Sequence, residues 1–289
     1  MTFRTRFAPS PTGPLHLGHA YSALLAHDLA RAANGDFLLR IEDIDQSRAK
    51  PVWEDQIYDD LTWLGISWPV PVLRQSANLP AYKDALTTLW QRGLLYPCTC
   101  NRRDILQAAN APQEGAALIG PDGIVYPGTC RNKPRSTATL LPRNAPLRFD
   151  LGAAAAYLPE FISFEERGNN VPAPEPATMT LSALQHRIGD FVVARRDMGT
   201  SYHLSVVVDD AAQAVTDVVR GADLFETTAI HVVLQKLLGL PTPRYHHHRL
   251  IRDDAGKRLA KRDDARAIAT YRAEGATPRD IRRMVGLDV

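Results

Sequence analysis

Residues 6–19 read RFAPSPTGPLHLGH, and residues 39–45 read LRIEDID. The first stretch is the end of a short alternating strand, a loop broken by Pro9, Pro11, Gly13 and Pro14, and a helix start that carries His16 and His19. Such a helix start aims backbone N–H groups and imidazoles at a place where phosphate oxygens can lie. The second stretch ends an apolar strand on carboxylates, beside the same crevice. Together they point to an enzyme that activates a small substrate with ATP.

Working outward, the pattern alternates strands and helices. A strand is expected over residues 2–8, a helix from Leu17 to Asn34-Gly35, a strand over 37–41, and helices from Pro51 to Leu64 and from Pro80 to Gly93. This βαβα order predicts a doubly wound parallel sheet with right-handed crossovers. The regular pattern lapses from Tyr96 to about Leu147, where an irregular insertion is expected, and residues 153–180 read as a connection. It returns as a strand over 191–195, a short helix over 202–208, a strand over 214–220, a helix opened by an Asp223/Glu226 capping box and running to Gly239, and a strand over 245–251. Thr277, Pro278 and Asp280 mark a last helix start.

Composition narrows the class. At 289 residues with 45% hydrophobic content, the chain can fill one large or two modest domains. No apolar run is long enough to span a bilayer, and no apolar signal region follows the N-terminus, so a cytoplasmic protein with no membrane partner is expected. The net charge of +2 predicts no partner by itself, although basic residues gather over 244–262 and 279–283. Three cysteines without an export signal argue against a disulfide framework. The run His246-His-His248 lies on a predicted strand, where neighbouring side chains point alternately and do not converge on a metal.

His16-Leu-Gly-His19 fits the HIGH signature and follows the phrase FAPSPTG; with LRIEDID, with YHLSVVVDD over 202–210 and with VTDVVRG over 215–221, the chain resembles class I aminoacyl-tRNA synthetases of the glutamyl group. The resemblance runs from about residue 3 to 262. It implies a Rossmann-type catalytic domain in two halves, residues 1–95 and 191–240. Residues 96–190 would be an inserted, zinc-containing, acceptor-binding-like subdomain with its connection, and residues 241–289 a KMSKS-like loop with a small helical C-terminal part.

Activation by such an enzyme is attack of a carboxylate on the α-phosphate of ATP, with Mg2+ as the nucleotide's counterion. Charge grows on phosphate oxygens, so preorganised donors and cations are required. His16 and His19 would donate ring N–H bonds, and Gly18 would let the nucleotide approach the backbone. The KMSKS counterpart is Arg258-Leu-Ala-Lys261-Arg262, which departs from the motif at Arg258, Ala260 and Arg262 but keeps the cation Lys261. The resemblance further implies that Arg6, Ser10, Glu42, Tyr202 and Arg220 bind L-glutamate. Arg6 and Arg220 would meet carboxylates and Glu42 the ammonium; the sequence leaves open which arginine takes the side-chain carboxylate.

Cys98-Thr-Cys100 and Tyr126-Pro-Gly-Thr-Cys130 form a CxC…YxxxC set. Three thiolates suit structural zinc, and the chemistry of the residues leaves the fourth ligand open among Tyr126, a histidine and water. The glutamyl-Q tRNA(Asp) synthetases, a subgroup that this chain resembles, carry the same pattern with tyrosine as fourth ligand. After Lys261, 28 residues remain, too few for an anticodon-binding domain of roughly 100 residues. The expectation is therefore a stand-alone monomeric core. It would transfer glutamate to queuosine in the anticodon loop of tRNA(Asp). The alternatives are a short synthetase charging a tRNA 3′ end and a catalytically silent RNA-binding paralogue.

Overall fold

The computed structural model describes residues 2–109, 119–133, 140–142, 145–171, 176–252 and 266–287. The first half runs β1 (Arg4–Phe7), α1 (Leu17–Ala32), β2 (Asp36–Ile41), α2 (Pro51–Trp63), β3 (Leu73–Arg74) and α3 (Leu79–Gln91). β1, β2 and β3 pair in parallel in that order, with Arg4 opposite Asp36 and Arg40 opposite Leu73. α1 buries Leu17, Ala20, Tyr21, Ala23 and Leu24 against this sheet and closes with Arg31 in its last turn, where a cation suits the helix dipole. Pro51 opens α2 from the first helical position, as its fixed φ favours.

A second set of elements starts at residue 202. Before it come β4 (Leu95–Pro97), α4 (Arg102–Ala109), β5 (Ile119–Gly120), β6 (Gly123–Ile124), β7 (Leu147–Phe149), α5 (Leu151–Ala154), β8 (Phe161–Phe164), β9 (Ala177–Thr180), α6 (Leu181–Arg187) and β10 (Val192–Ala194). These are short antiparallel pieces: β7 pairs with β4 and β10, β5 with β6, and β8 with β9. Then follow α7 (Tyr202–Ala212), β11 (Asp217–Gly221), α8 (Thr228–Leu238), β12 (Arg244–His248), α9 (Ile268–Ala273) and α10 (Pro278–Met284). β11 and β12 are parallel.

Two of the bonds that join the halves place β11 beside β1. Thr216 N–H donates to the Arg4 carbonyl at 2.9 Å, and Arg4 N–H donates to Thr216 Oγ1 at 2.8 Å. The neighbouring carbonyl, that of Phe3, instead accepts from Asp36 on the β2 side. β11 therefore lies along the edge of β1 away from β2, and the crevice at the C-terminal ends of β1 and β11 is the switch point of an open α/β sheet.

Some expected boundaries differ. No capping box by Asp223 and Glu226 forms: residues 222–224 make a 3₁₀ turn, α8 starts only at Thr228, and Glu226 is drawn instead into an ion pair with Arg187. The strand expected over 245–251 stops at His248, the last residue opposite β11. The helix expected over 202–208 runs on to Ala212. The stretches expected as irregular contain α4 and the β5–β6 and β8–β9 hairpins. The Thr277/Asp280 capping box does form. Among the described residues no helix is long and apolar enough to cross a membrane.

Asp60 is buried on the same face of α2 as Ile57 and Leu61, and its Oδ2 has no hydrogen-bond partner. Burial pushes its carboxyl up to about 6, against the pull of Arg272. The folded chain thus holds this proton to a higher pH than the unfolded chain does. The stabilisation it brings is complete below about pH 4 and is lost as pH rises through about 6. Asp60→Asn should therefore gain more stability, relative to the parent, at about pH 7.5 than at about pH 4, by about 2–3 kcal/mol; urea unfolding at the two pH values measures the difference.

Candidate active site

The crevice holds a cavity of about 530 Å³. Its lining includes Arg6, Ser10, His16, Gly18, His19, Glu42, Tyr202 and Arg220, so eight of the residues singled out in the sequence share one space. Lys261 and the rest of residues 258–262 lie outside the described residues. Asp223, His248 and Arg249 also line the cavity, and the sequence reading had not assigned them to it.

The Pro-rich loop is held by its backbone. The carbonyls of Pro9 and Pro11 accept from the N–H groups of Glu42 and Lys50 at 3.0 Å each, which ties the loop to the end of β2 and the start of α2. From the C-terminal side, Ile268 N–H donates to the Leu15 carbonyl at 2.8 Å. The two histidines then cap α1. Gly18 N–H donates to His16 Nδ1 at 3.1 Å, His16 N–H donates to His19 Nδ1 at 3.2 Å, and the rings lie 3.8 Å apart between centroids. A ring nitrogen that accepts carries no proton, so both neutral rings carry theirs on Nε2, the donor form a phosphate oxygen needs.

Behind the cavity lies a buried ion cluster. Arg40, fully buried in β2, donates from Nη1 to Asp210 Oδ1 at 2.6 Å and from Nη2 to Glu42 Oε1 at 3.2 Å, with Asp209 at 3.8 Å. Arg6 grips Asp210 with two bonds of 2.8 and 3.2 Å. Asp209 also accepts from Gln75, Asn78 and Tyr82 at 2.7–2.9 Å. Burial pushes Glu42 and Asp209 up from the usual carboxylate range, against the pull of Arg40. Burial pushes the same way on Asp210, but the guanidinium groups of Arg6 and Arg40 outweigh it and hold this carboxyl low.

Arg220 is held differently. Its Nη2 donates to Thr228 Oγ1 at 2.6 Å, its Nε to His247 Nε2 at 3.1 Å and its Nη1 to His231 Nδ1 at 3.0 Å. Behind His247 stands Glu166, which accepts from His247 N–H at 2.9 Å and pairs with its Nδ1. Gly168 packs so close to the His247 backbone that a side chain there would not fit. Burial, reinforced by Arg220, holds His231 well below the usual imidazole range. Of the histidine run, His246 pairs with Asp217, His247 serves Arg220, and His248 bonds Ser22 Oγ at 2.7 Å at the cavity wall.

Away from the cavity, Cys98, Cys100 and Cys130 bring their Sγ atoms within 4.8 Å of one another. Cys98 and Cys100 lie 3.4 and 3.5 Å from Tyr126 Oη, and Cys100 lies 3.6 Å from Cys130. Tetrahedral zinc, with bonds of about 2.3 Å to sulfur and about 2.0 Å to oxygen, spaces its ligands roughly 3.5–3.8 Å apart. The three spacings of 3.4–3.6 Å are close to this range, so the donor set is compatible with the ion. Burial acts to raise the Cys130 thiol, but hydrogen bonds from Tyr126 and Thr99 bring it down to about 6, which favours the thiolate. The Arg148 guanidinium stacks 3.8 Å over the Tyr126 ring.

The family model for the catalytic domain of class I tRNA synthetases (E and Q) matches residues 2–122 and 173–288. The chain is 66% identical to the glutamyl-Q tRNA(Asp) synthetase of Rhodobacter capsulatus, over 98% of this chain and 99% of that protein. It is 40% identical to the protein of the same name from Symbiobacterium thermophilum, over 96% of this chain and 83% of that protein. Among solved structures, a glutamate tRNA ligase from Elizabethkingia meningosepticum, in complex with its amino acid, superposes with a TM-score of 0.74 at 26% identity. The match takes in 99% of this chain but 61% of that ligase, so the chain spans about three-fifths of its length.

Removing Arg40 would leave three buried carboxylates around one arginine. Arg40→Met should therefore destabilise the fold by about 3–5 kcal/mol, read from the urea unfolding midpoint near neutral pH.

Proposed function

Because the chain belongs to the class I tRNA synthetases of the E and Q type, and within them to the glutamyl-Q tRNA(Asp) synthetases, we propose that its cavity holds ATP with Mg2+ and L-glutamate side by side and joins them as glutamyl-adenylate. The enzyme is a ligase that transfers glutamate to the queuosine base of tRNA(Asp). The observation that carries the assignment of the cavity is the joint lining by the two histidines at the start of α1 and an arginine–carboxylate set.

On this reading the amino acid's α-carboxylate oxygen attacks the α-phosphorus, and pyrophosphate leaves. His16 and His19, with protons on Nε2, donate to the phosphate oxygens on which charge grows. Gly18 lies at the N-terminus of α1, whose backbone N–H groups favour the same anion. Lys261 would bring a further cation to the departing pyrophosphate. A hydroxyl of the cyclopentene ring of queuosine then attacks the adenylate carbonyl and AMP leaves, so the cavity would receive the anticodon loop. With tRNA as its substrate, the enzyme would work in the cytoplasm.

Charge balance supports the assignment of Glu42. Arg6 and Arg40 bring two positive charges to a buried cluster in which Glu42, Asp209 and Asp210 bring three negative ones. One ammonium restores neutrality, and Glu42 is the carboxylate of the cluster that also lines the cavity. Ser10 and Tyr202 would complete the walls around the amino acid. Arg220 has no carboxylate within ion-pair distance among the described residues, so its charge is available to a carboxylate of glutamate.

Cys98, Cys100, Tyr126 and Cys130 would hold a structural zinc, which fixes the fold of the inserted subdomain over residues 96–190. The ion supplies cross-linking rather than chemistry there, since all four positions of a tetrahedron are taken by side chains.

Purified enzyme should catalyse glutamate-dependent exchange of pyrophosphate into ATP without tRNA. It should label tRNA(Asp) that carries queuosine and not tRNA(Asp) that lacks it. Absence of exchange in a folded sample would remove the adenylate reading, and equal labelling of both tRNAs would move transfer to the 3′ end. Elemental analysis should find stoichiometric zinc, lost in Cys130→Ser with a lower Tm while α1 and the sheet remain folded by circular dichroism.

A further inference from the structure

The partners of Arg220 continue beyond His231. His231 Nε2 lies 3.1 Å from His203 Nδ1, and His203 Nε2 lies 3.0 Å from Asp122 Oδ1. We propose that Asp122, His203 and His231 form a hydrogen-bonded relay that fixes the guanidinium of Arg220 for a substrate carboxylate, so that the inserted hairpin takes part in amino-acid recognition. The proposal rests on the reading of Arg220 as a carboxylate-binding group.

The direction of every bond in the chain is determined. A guanidinium only donates, so His231 Nδ1 accepts from Arg220 and the proton of this neutral ring sits on Nε2. That N–H donates to His203 Nδ1, which places the His203 proton on Nε2. A carboxylate only accepts, so His203 Nε2–H ends on Asp122. A donor-only group at one end and an acceptor-only group at the other leave a single tautomer for each ring. His231 and His203 are both buried, at 1% and 7% exposure, so the bond between the two rings is shielded from water.

The relay explains how Arg220 is held without being neutralised. Arg6 and Arg40 are locked by direct carboxylate contact. Arg220 is oriented instead by the neutral rings of His231 and His247 and by Thr228. Orientation comes from hydrogen bonds, and the balancing carboxylates Asp122 and Glu166 stand one or two rings away. Arg220 itself keeps the His231 proton on Nε2, and His203 is the acceptor that the described residues give this N–H. Without His203 the buried N–H loses its partner, and without Asp122 the His203 ring is no longer kept from carrying its proton on Nδ1, facing another donor. In either case His231 would have to shift, and Arg220 with it.

The far end of the relay lies in a different part of the chain. Asp122 sits in the turn between β5 and β6, four positions before Tyr126. The backbone of Tyr126 bridges to Gly189, and Gly120 packs so closely on the Arg187 carbonyl that a side chain there would not fit. The hairpin is thus seated on residues 187–189 and runs on into the segment that carries the proposed zinc ligands Tyr126 and Cys130, while its Asp122 reaches the amino-acid pocket through two rings.

The test is the KM for glutamate and for ATP in pyrophosphate exchange, measured on the full chain. Asp122→Ala, in an exposed turn, should raise the glutamate KM roughly tenfold with the ATP KM unchanged and kcat within about twofold. His203→Ala should do the same. Asp122→Asn, whose amide oxygen still accepts, should recover most of the loss. Arg220→Ala should raise the glutamate KM further than any of these. An unchanged glutamate KM in Asp122→Ala, with a raised one in Arg220→Ala, would overturn the relay and leave the reading of Arg220 intact. An unchanged glutamate KM in Arg220→Ala would overturn both. A parallel rise in both KM values in Asp122→Ala would reduce Asp122 to a folding role and overturn the relay.

Discussion

The fully buried guanidinium of Arg40 sets the constraint from which the catalytic half of this molecule follows. A full charge in the middle of an apolar strand is tolerable only when matched, and leaving it unmatched costs more than most single contacts supply. Its match comes from Glu42, just past the end of the same strand, and from Asp209 and Asp210 at the far end of α7, about 170 residues away in sequence. Asp210 passes the link to Arg6 on β1, and Asp209 passes it to Gln75, Asn78 and Tyr82 on and beside α3. One charge thus clamps the two halves of the split domain and both neighbouring helices. The cavity between the halves inherits that rigidity, since Arg6 and Glu42 belong at once to the clamp and to its wall.

The sequence was legible where local pattern and local chemistry agree. The strand–loop–helix at residues 4–32 could be read because breakers bound it, and the helix start was readable from His16 and His19, which turn out to cap each other's backbone. Thr277 and Asp280 were readable for the same reason. The short strands of the inserted region were not, because two to four residues hold too little alternation to stand out. At Asp223 and Glu226 the spacing mimicked a capping box, but one carboxylate found an arginine on another element and the chain made a 3₁₀ turn first.

The candidate site was legible as a set of residues more than as a set of contacts. The cysteines and Tyr126 announced themselves by type and spacing, and their side chains converge. The roles of Arg40, Asp209 and Asp210 left a signal that went unused: an arginine within the run Leu38-Leu39-Arg40-Ile41, and paired carboxylates closing an apolar helix, both call for buried partners. The environment of Arg220 left no such signal. His203, His231 and His247 come from α7, α8 and β12, and nothing in local sequence says that two of them will meet one guanidinium and that the third will stand behind one of these.

That gathering separates two ways of burying an arginine. Arg6 and Arg40 sit against carboxylates, so their fields are largely cancelled within the protein and their contribution is architectural. Arg220 sits against uncharged imidazoles, which satisfy its N–H groups but leave its charge in place. Burial and the charge of Arg220 itself both disfavour protonation of His231, so the rings that orient the guanidinium are kept from competing with it. A site that must capture an anion needs a cation of the second kind, and holding it steady without a counterion requires more partners than a simple ion pair. The number of elements that converge on Arg220 follows from this requirement: hydrogen bonds to neutral groups are individually weak, and several of them, fixed in direction by their own partners, take the place of one carboxylate.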